Sequence, residues 1–305
     1  YTNPAINAYG SDDCIIRNNI VHNVTGSSNI GTKGITLSGE TNELGHNNLI
    51  YNNFIYDIRC TSNYGSARLA GIQLWYQNNP KIYYNSVLLD GKGSTPAGSA
   101  ALFIDYVSNN VIIKNNILIN IRDESPYCAS SIFVRSGSTI TSDYNDLHYT
   151  PSQYNCLVKV QSTHYLILPD WQTTGNDLMS INEMPFFNLP DLHLNNNISS
   201  YIESKGIPVA GIDTDFDGQI RSASTPDLGA DEIEGSVPNI WQPQYTYQPN
   251  NVFPIKVSTT SDDICWATGY SLGSPYLGSF LRTTNGGINW QYGTIPGTET
   301  FRSNC

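Results

Sequence analysis

Ile15-Ile-Arg-Asn-Asn-Ile-Val21 returns along the chain as Leu49-Ile-Tyr-Asn-Asn-Phe-Ile55, Ile82-Tyr-Tyr-Asn-Ser-Val-Leu88 and Ile112-Ile-Lys-Asn-Asn-Ile-Leu118. A degenerate fifth copy follows at Ile140-Thr-Ser-Asp-Tyr-Asn145. Taking Asn18, Asn52, Asn85, Asn115 and Asp143 as markers, the spacings are 34, 33, 30 and 28 residues. A second element keeps step: Gly34-Ile-Thr-Leu37, Gly71-Ile-Gln-Leu74, Ala101-Leu-Phe-Ile104 and Ser131-Ile-Phe-Val134, spaced by 37, 30 and 30. Each element is short, β-branched and alternating, the period of a half-buried strand. Such a repeat cannot close a core alone and must stack on its neighbours as a solenoid coil. Asn at one point of every coil has a physical reason, because it tolerates tight-turn backbone and its amide can hydrogen-bond the amide above.

Composition agrees. The 305 residues include 34 Asn, 20 Tyr, 25 Gly and 16 Pro, with 39% hydrophobic and only 13% charged residues, which disfavours a helical protein and predicts an all-β one. No apolar run approaches the roughly 20 residues of a transmembrane helix. The net charge of −11 (15 basic, 26 acidic residues) argues against a nucleic-acid binder. Between Asp213 and Glu234 stand seven acids and one base, Arg221. Cys14, Cys60, Cys128, Cys156, Cys265 and Cys305 form no CxxC pair, so structural zinc, thioredoxin-like chemistry and c-type haem are not expected. Cys128 and Cys156 are 28 residues apart, about one coil, and are the pair expected to meet. The chain opens on Tyr1 without a signal peptide and reads as a piece of a longer protein.

The Gly-Ile-x-Leu strand followed by the Asn-Asn-x-Ile turn, over about residues 10–150, resembles the right-handed parallel β-helix of pectate-lyase-like proteins. That resemblance implies a β-helix whose Gly-Ile-x-Leu segments are the first strands of the coils. The Asn turn then joins the second strand to the third. Insertions at 59–69, 90–99 and 122–129 would wall a cleft over the outward face of the first strands. Pro185-Phe-Phe-Asn188, Asp191-Leu-His-Leu194, Gly211–Arg221 and Asp227-Leu-Gly-Ala-Asp-Glu232 resemble the closing segment of secreted bacterial β-helix proteins, expected to cover the last coil. The expected organisation is coils at 1–150, a last coil and cap at 151–235, a Pro/Gln/Tyr-rich linker at 236–252 and a module at 253–305. In that module Thr283-x-Asn285-x-Gly287-x-Asn289-Trp290 resembles the Asp-box hairpin of sialidase-type β-propellers, of which one blade would be present.

With Ile35/Leu37, Ile72/Leu74, Leu102/Ile104 and Ile132/Val134 inward, alternation sends two columns outward: Thr36, Gln73, Phe103, Phe133, and Ser38, Trp75, Asp105, Arg135. Gln73, Trp75, Phe103, Asp105, Phe133 and Arg135 are therefore the candidate ligand-binding residues. An aromatic beside a carboxylate and a guanidinium suits a sugar. Asp105 and Arg135 are the candidate catalytic groups if the face carries an enzyme, a polysaccharide lyase or a glycoside hydrolase. Asp213, Asp215 and Asp217 ahead of Gly218 suggest Ca²⁺, with Asp227 or Asp231 to supply missing ligands, although Ser224 stands where an EF-hand would need Glu. The leading expectation is a secreted or cell-surface modular protein contacting a polysaccharide or cell-surface glycan. The alternatives are the enzyme and a self-assembling subunit of an extracellular fibre or layer.

Overall fold

The computed structural model describes residues 3–27, 29, 31–62, 64–65, 68–91, 97–123, 126–135, 137–188, 191–195, 200–233, 252–259, 265–271, 278–283 and 291–294. Two compact units are present, Tyr1–Asn239 and Ile240–Cys305. The first is built on three parallel sheets that the chain visits in turn. The first sheet holds Asn3–Tyr9, Gly31–Ser38, Arg68–Trp75, Ser99–Asp105, Ala129–Val134 and Cys156–Val160. The second holds Ile15–Arg17, Leu49–Tyr51, Lys81–Tyr83, Val111–Lys114 and Ile140–Asp143. The third holds Ile20–Val21, Phe54–Ile55, Ser86–Leu89, Ile117–Asn120 and Asp146–Tyr149. Five coils thus lay one strand on each sheet, each in parallel register with the coil before it, and Cys156–Val160 adds a sixth parallel strand to the first sheet.

Packing follows from alternation. Ile35, Ile72, Leu102 and Ile132 form one inward row, Leu37, Leu74, Ile104 and Val134 the next, and all but Val134 are fully buried. Gly34 and Gly71 sit where this sheet bends inward. A Cβ at Gly71 would lie 2.3 Å from Val87 Cγ1, and one at Gly34 would lie 2.6 Å from Ile55 Cγ2. After this bend two consecutive residues face the core, so the residues just before it, such as Ala70 and Ala100, share the outer surface with Phe103 and Phe133.

The asparagines do two separate jobs. Asn18, Asn52 and Asn115 take left-handed backbone (φ 53°, 50° and 58°), and in the third and fifth coils Tyr84 and Tyr144 take that place. The neighbouring residues form a buried amide ladder: Asn19 donates to Asn53 (2.9 Å), Asn53 to Asn85 (2.9 Å), Asn85 to Asn116 (3.0 Å) and Asn116 to Asn145 (3.0 Å). The marker set needs correcting by one residue in two coils. Asn85 belongs to the ladder rather than to the left-handed turn, and Asp143 precedes Tyr144 in the turn, because Lys81 pairs with Leu49 and Ile112, and Thr141 pairs with Ile112. Asn145 finally donates to Asp177 Oδ1 (3.0 Å), whose other oxygen accepts the Trp171 indole N–H (2.6 Å). Trp171 lies on Leu168–Gln172, the α-helix among the described residues, and no helix there is long and apolar enough to cross a membrane.

Residues 176–181 stack on the last coil, with Asp177 N–H donating to Ser142 and Ile181 N–H to Asn145. The closing segment lies elsewhere than expected. Instead of covering the last coil, the described residues of 185–233 run along the flank of the solenoid and are tied to successive coils. Asn18 donates to the Phe216 carbonyl, Asn52 to Thr214 and Asn115 to Ile207. Leu192, Leu194, Ile202, Leu228 and Ile233 bury Phe54, Leu88, Ile117 and Ile119, which leave the third sheet on its outer side. The sequence order matched a cap, but the turn amides and these outward apolar residues decide where it docks.

The second unit is a four-stranded antiparallel sheet in chain order, Val252–Thr259, Cys265–Ser271, Gly278–Thr283 and Gln291–Thr294. Arg282 stacks on Trp266 at 5.0 Å, and Trp266 on Phe280 at 5.5 Å. Asn285, Gly287, Asn289 and Trp290 of the Asp-box pattern, and the linker except Val252, lie outside the described residues.

The ladder makes a direct prediction. Asn85→Ala removes one rung and strands buried partners on both sides, so urea unfolding should show a loss of more than about 3 kcal/mol. Asn110→Ala in an exposed amide row (Asn110 to Asn79, 3.0 Å) should cost less than about 1 kcal/mol.

Candidate functional site

The outward columns of the first sheet assemble side by side. Gln73, Phe103 and Phe133 are in register, as are Trp75 and Asp105, and the Arg135 N–H donates to the Ile104 carbonyl one coil away. Arg135 Nη1 pairs with Asp105 Oδ1 at 2.7 Å, and Gln73 Nε2 donates to Asp105 Oδ2 at 3.4 Å. Asp105 is buried to 8% exposure, while the Arg135 side chain remains half exposed. Trp75 stacks on Tyr106 (5.1 Å, 9°), which stacks in turn on Tyr76 (5.0 Å). Both tyrosines have left-handed backbone, which turns the chain out at the ends of these strands. The Asp105–Arg135 pair and the partly exposed Trp75 therefore share one wall, whereas Phe103 and Phe133 are floor. The two rings stack at 5.1 Å under the Arg68 guanidinium (4.5 and 4.6 Å), so they are closed to direct contact.

Three cations of this face are absent from the sequence reading. Arg68 precedes the strand motif, and Lys159 extends the Gln73–Phe103–Phe133 column, its Nζ 4.9 Å from Phe133. Lys33 is fully buried in the wall, its Nζ donating to the Arg68 carbonyl at 3.1 Å. Burial is the main cause that pulls the Lys33 amine down to about 8; Arg68 acts in the same direction, against Cys60 and Asp105. Only the column extension gave a sequence signal, since Lys159 stands one residue before an inward Val. Lys33 was hidden by the bend, which breaks strict alternation.

Lys33, Arg68, Gln73, Trp75, Asp105 and Arg135 line a pocket of about 440 Å³, walled also by Gly65 and Ala97 from two of the long insertions. Across Trp75 and Tyr76 lies a second depression of about 610 Å³, lined by Asn7, Tyr9, Ser38 and Glu40. Gln73 Oε1, Trp75 Nε1 and Thr36 Oγ1 are buried on this face and meet no hydrogen-bond partner among the described residues. Buried polar atoms are ordinarily satisfied, so these three are departures from the usual pairing, set below the surface of the face.

The acidic segment is a different kind of cluster. Asp215, Asp217 and Asp231 come together, while Asp213, expected among them, stays outside and exposed. Asp215 accepts the N–H groups of Gln219 (2.7 Å) and Glu232 (3.0 Å), and Asp231 accepts that of Leu194 (2.7 Å). Asp217 pairs with His193 Nε2 at 3.0 Å. Burial alone would lower the His193 pKa, but Asp191, Asp231 and Asp217 together hold it above its ordinary value. These carboxylates thus favour the charged form of His193, and oxygens that Ca²⁺ would need in a set of 6–8 also accept backbone N–H groups. Arg221, buried with Glu232 at 3.1 Å and stacked on Tyr84 at 4.0 Å, locks the same segment to the coils.

The family model described as right handed beta helix region matches residues 2–168. The chain belongs to the right-handed β-helix family. The matched stretch contains all three sheets of the β-helix and the whole outward face just described. Neither the curated proteins nor the solved structures give a match.

For the acidic segment of this β-helix, millimolar Ca²⁺ is expected to leave the melting temperature unchanged. Asp215→Asn should destabilise by about 1–3 kcal/mol, because its amide nitrogen replaces one of the two oxygens that accept the Gln219 and Glu232 N–H groups. A Ca²⁺-induced rise in melting temperature that disappears in Asp215→Asn would show a cation site instead.

Proposed function

We propose that the outward face of the first sheet binds an anionic glycan, such as a uronate polysaccharide, on a secreted or cell-surface modular protein. One observation carries this reading. Lys33, Arg68, Arg135 and Lys159 collect around the face with Asp105 as the carboxylate paired among them, on a chain whose net charge is −11. Such segregation focuses a positive field on one groove and favours a polyanion. Trp75 and its tyrosine neighbours offer rings to the apolar faces of sugars, and the half-exposed Arg135 guanidinium offers orientation. The pectate-lyase-like likeness of the repeat supports the same substrate class. In the second unit, four antiparallel strands in chain order have the topology of one propeller blade, which suits a modular surface protein.

Affinity electrophoresis against polygalacturonate and a neutral glucan tests the proposal. Binding should be confined to the anionic polymer and weaken as salt is raised. Trp75→Ala and Arg135→Ala should each reduce affinity on the order of tenfold, equivalent to about 1.4 kcal/mol. Equal retardation of both variants and the unaltered protein would exclude this face.

Lys33 favours a second reading, a lyase. β-Elimination from a uronate requires a base to remove the proton beside the carboxylate; an amine brought to about 8 is partly neutral under mildly alkaline conditions, and Lys33 would reach that proton by leaving the Arg68 carbonyl for the pocket it borders. Arg68 and Arg135 would counter the charge of the carboxylate. Since the neutral amine is the active form, unsaturated product, followed by its ultraviolet absorbance, should form faster as pH rises through about 8. Lys33→Gln should abolish it while polymer binding persists. Absence of product at every pH would leave a binding protein.

A further inference from the structure

We propose that Cys128, Cys156 and His164 form a binding site for one thiophilic divalent cation such as Zn²⁺, with a fourth position open to solvent. The three come from separate places in the chain. Cys128 ends the insertion before Ala129–Val134, Cys156 opens the next strand of the first sheet, and His164 lies on Thr163–Tyr165, the antiparallel strand paired with it. One ligand atom of each lies within 4.8 Å of the others. The two sulfurs are 3.3 Å apart. Two Zn–S bonds of about 2.3 Å at a tetrahedral angle put sulfurs about 3.8 Å apart, so small side-chain rotations complete the geometry.

The surroundings fit the same ion. Cys156 is fully buried, so its sulfur is held by the coil stack, while Cys128 is half-buried and His164 exposed. Cys128 and His164 both line a pocket of about 280 Å³ with Tyr127, Tyr154 and Lys159, through which an ion and a fourth ligand can enter. Two thiolates and a neutral imidazole bring a divalent ion to zero net charge, which the adjacent Lys159 tolerates. Soft sulfur and imidazole donors select Zn²⁺ over Ca²⁺ or Mg²⁺. A disulfide would engage the sulfurs alone and leave the convergence of His164 without a role. Lys159 borders both this site and the glycan face, but the proposed ligands Cys128, Cys156 and His164 are absent from the Trp75 pocket, so the two readings are tested separately.

The test uses the full chain, reduced with a phosphine and freed of metal, titrated with Zn²⁺ against a chromophoric chelator and separately with Co²⁺. The expected result is one ion per chain and the thiolate-to-cobalt charge-transfer band of a tetrahedral site. Cys128→Ser should weaken binding at least about a hundredfold and His164→Ala about tenfold or more. Circular dichroism should show both variants folded, and His164→Ala keeps the test valid if the cysteine variant is not. Uptake that is unchanged in both variants would place the ion on other cysteines and overturn the proposal. So would a reduced chain that takes up neither ion, with peptide mass mapping of the unreduced chain showing a Cys128–Cys156 disulfide.

Discussion

The amide ladder from Asn19 to Asn145 is the constraint on which the coils depend. Each inner Asn donates to the carbonyls of its own and a neighbouring turn and to the next amide, while its oxygen accepts an amide and a backbone N–H from the coil before. Asn53, Asn85, Asn116 and Asn145 have no exposure to water, so each missing partner would leave a buried polar group unpaired. A hydrophobic core alone tolerates a slip of two residues, since alternation is unchanged by it. The ladder does not, because one residue too many breaks both rungs at once. Register along the first sheet, and with it the meeting of Trp75, Asp105 and Arg135, is inherited from this interior row.

The ladder also needs an end. An Asn row carries donors in one direction, and the last amide must donate to something. Asp177 supplies that acceptor and is itself oriented by Trp171 and by the Ser180 hydroxyl (2.6 Å). The short helix Leu168–Gln172 therefore belongs to the stacking logic although it is not a coil. On the flank the turn residues Asn18, Asn52 and Asn115 point their amides away from the core and hold the closing segment. Adjacent asparagines in each pair thus face opposite ways, one setting register and the other attaching 185–233 to the solenoid.

This division explains what could be read from the residues alone. The inward rows and both outward columns follow from a period of two and a repeat of roughly 30 residues, so Gln73, Trp75, Asp105 and Arg135 could be set beside one another before any coordinates. The Asn pairs were visible too, but where Tyr84 and Tyr144 take the left-handed place the surviving residues no longer say which job they do. Hence the slip at Asn85 and Asp143. Asp213 drops out of the expected cluster for a related reason, while Asp231, considered as a further ligand, joins it. Alternation along Asp213–Asp217 suggests a shared site, but the loop folds back, and Asp231 arrives from sixteen residues after Asp215. Lys33 was invisible because the bend at Gly34 suspends alternation just where it stands.

Spacing rules for ligands share this weakness. CxxC is informative because two residues on one turn can reach one ion, and its absence argues against zinc in proteins whose sites are local. In a solenoid the neighbour in space is a coil away in sequence, and a coil's length varies with its insertions. The 28 residues between Cys128 and Cys156 are a local spacing in that sense, and the hairpin at Thr163–Tyr165 then returns His164 opposite Lys159. The same reasoning applies to the cation-rich groove. Lys33, Arg68, Arg135 and Lys159 are scattered over four coils, so no window of sequence is basic and the net charge of the chain points the other way. A repeat fold can thus hide a charged or metal-ligating surface inside an acidic chain without any local motif, because stacking, rather than sequence proximity, concentrates the groups.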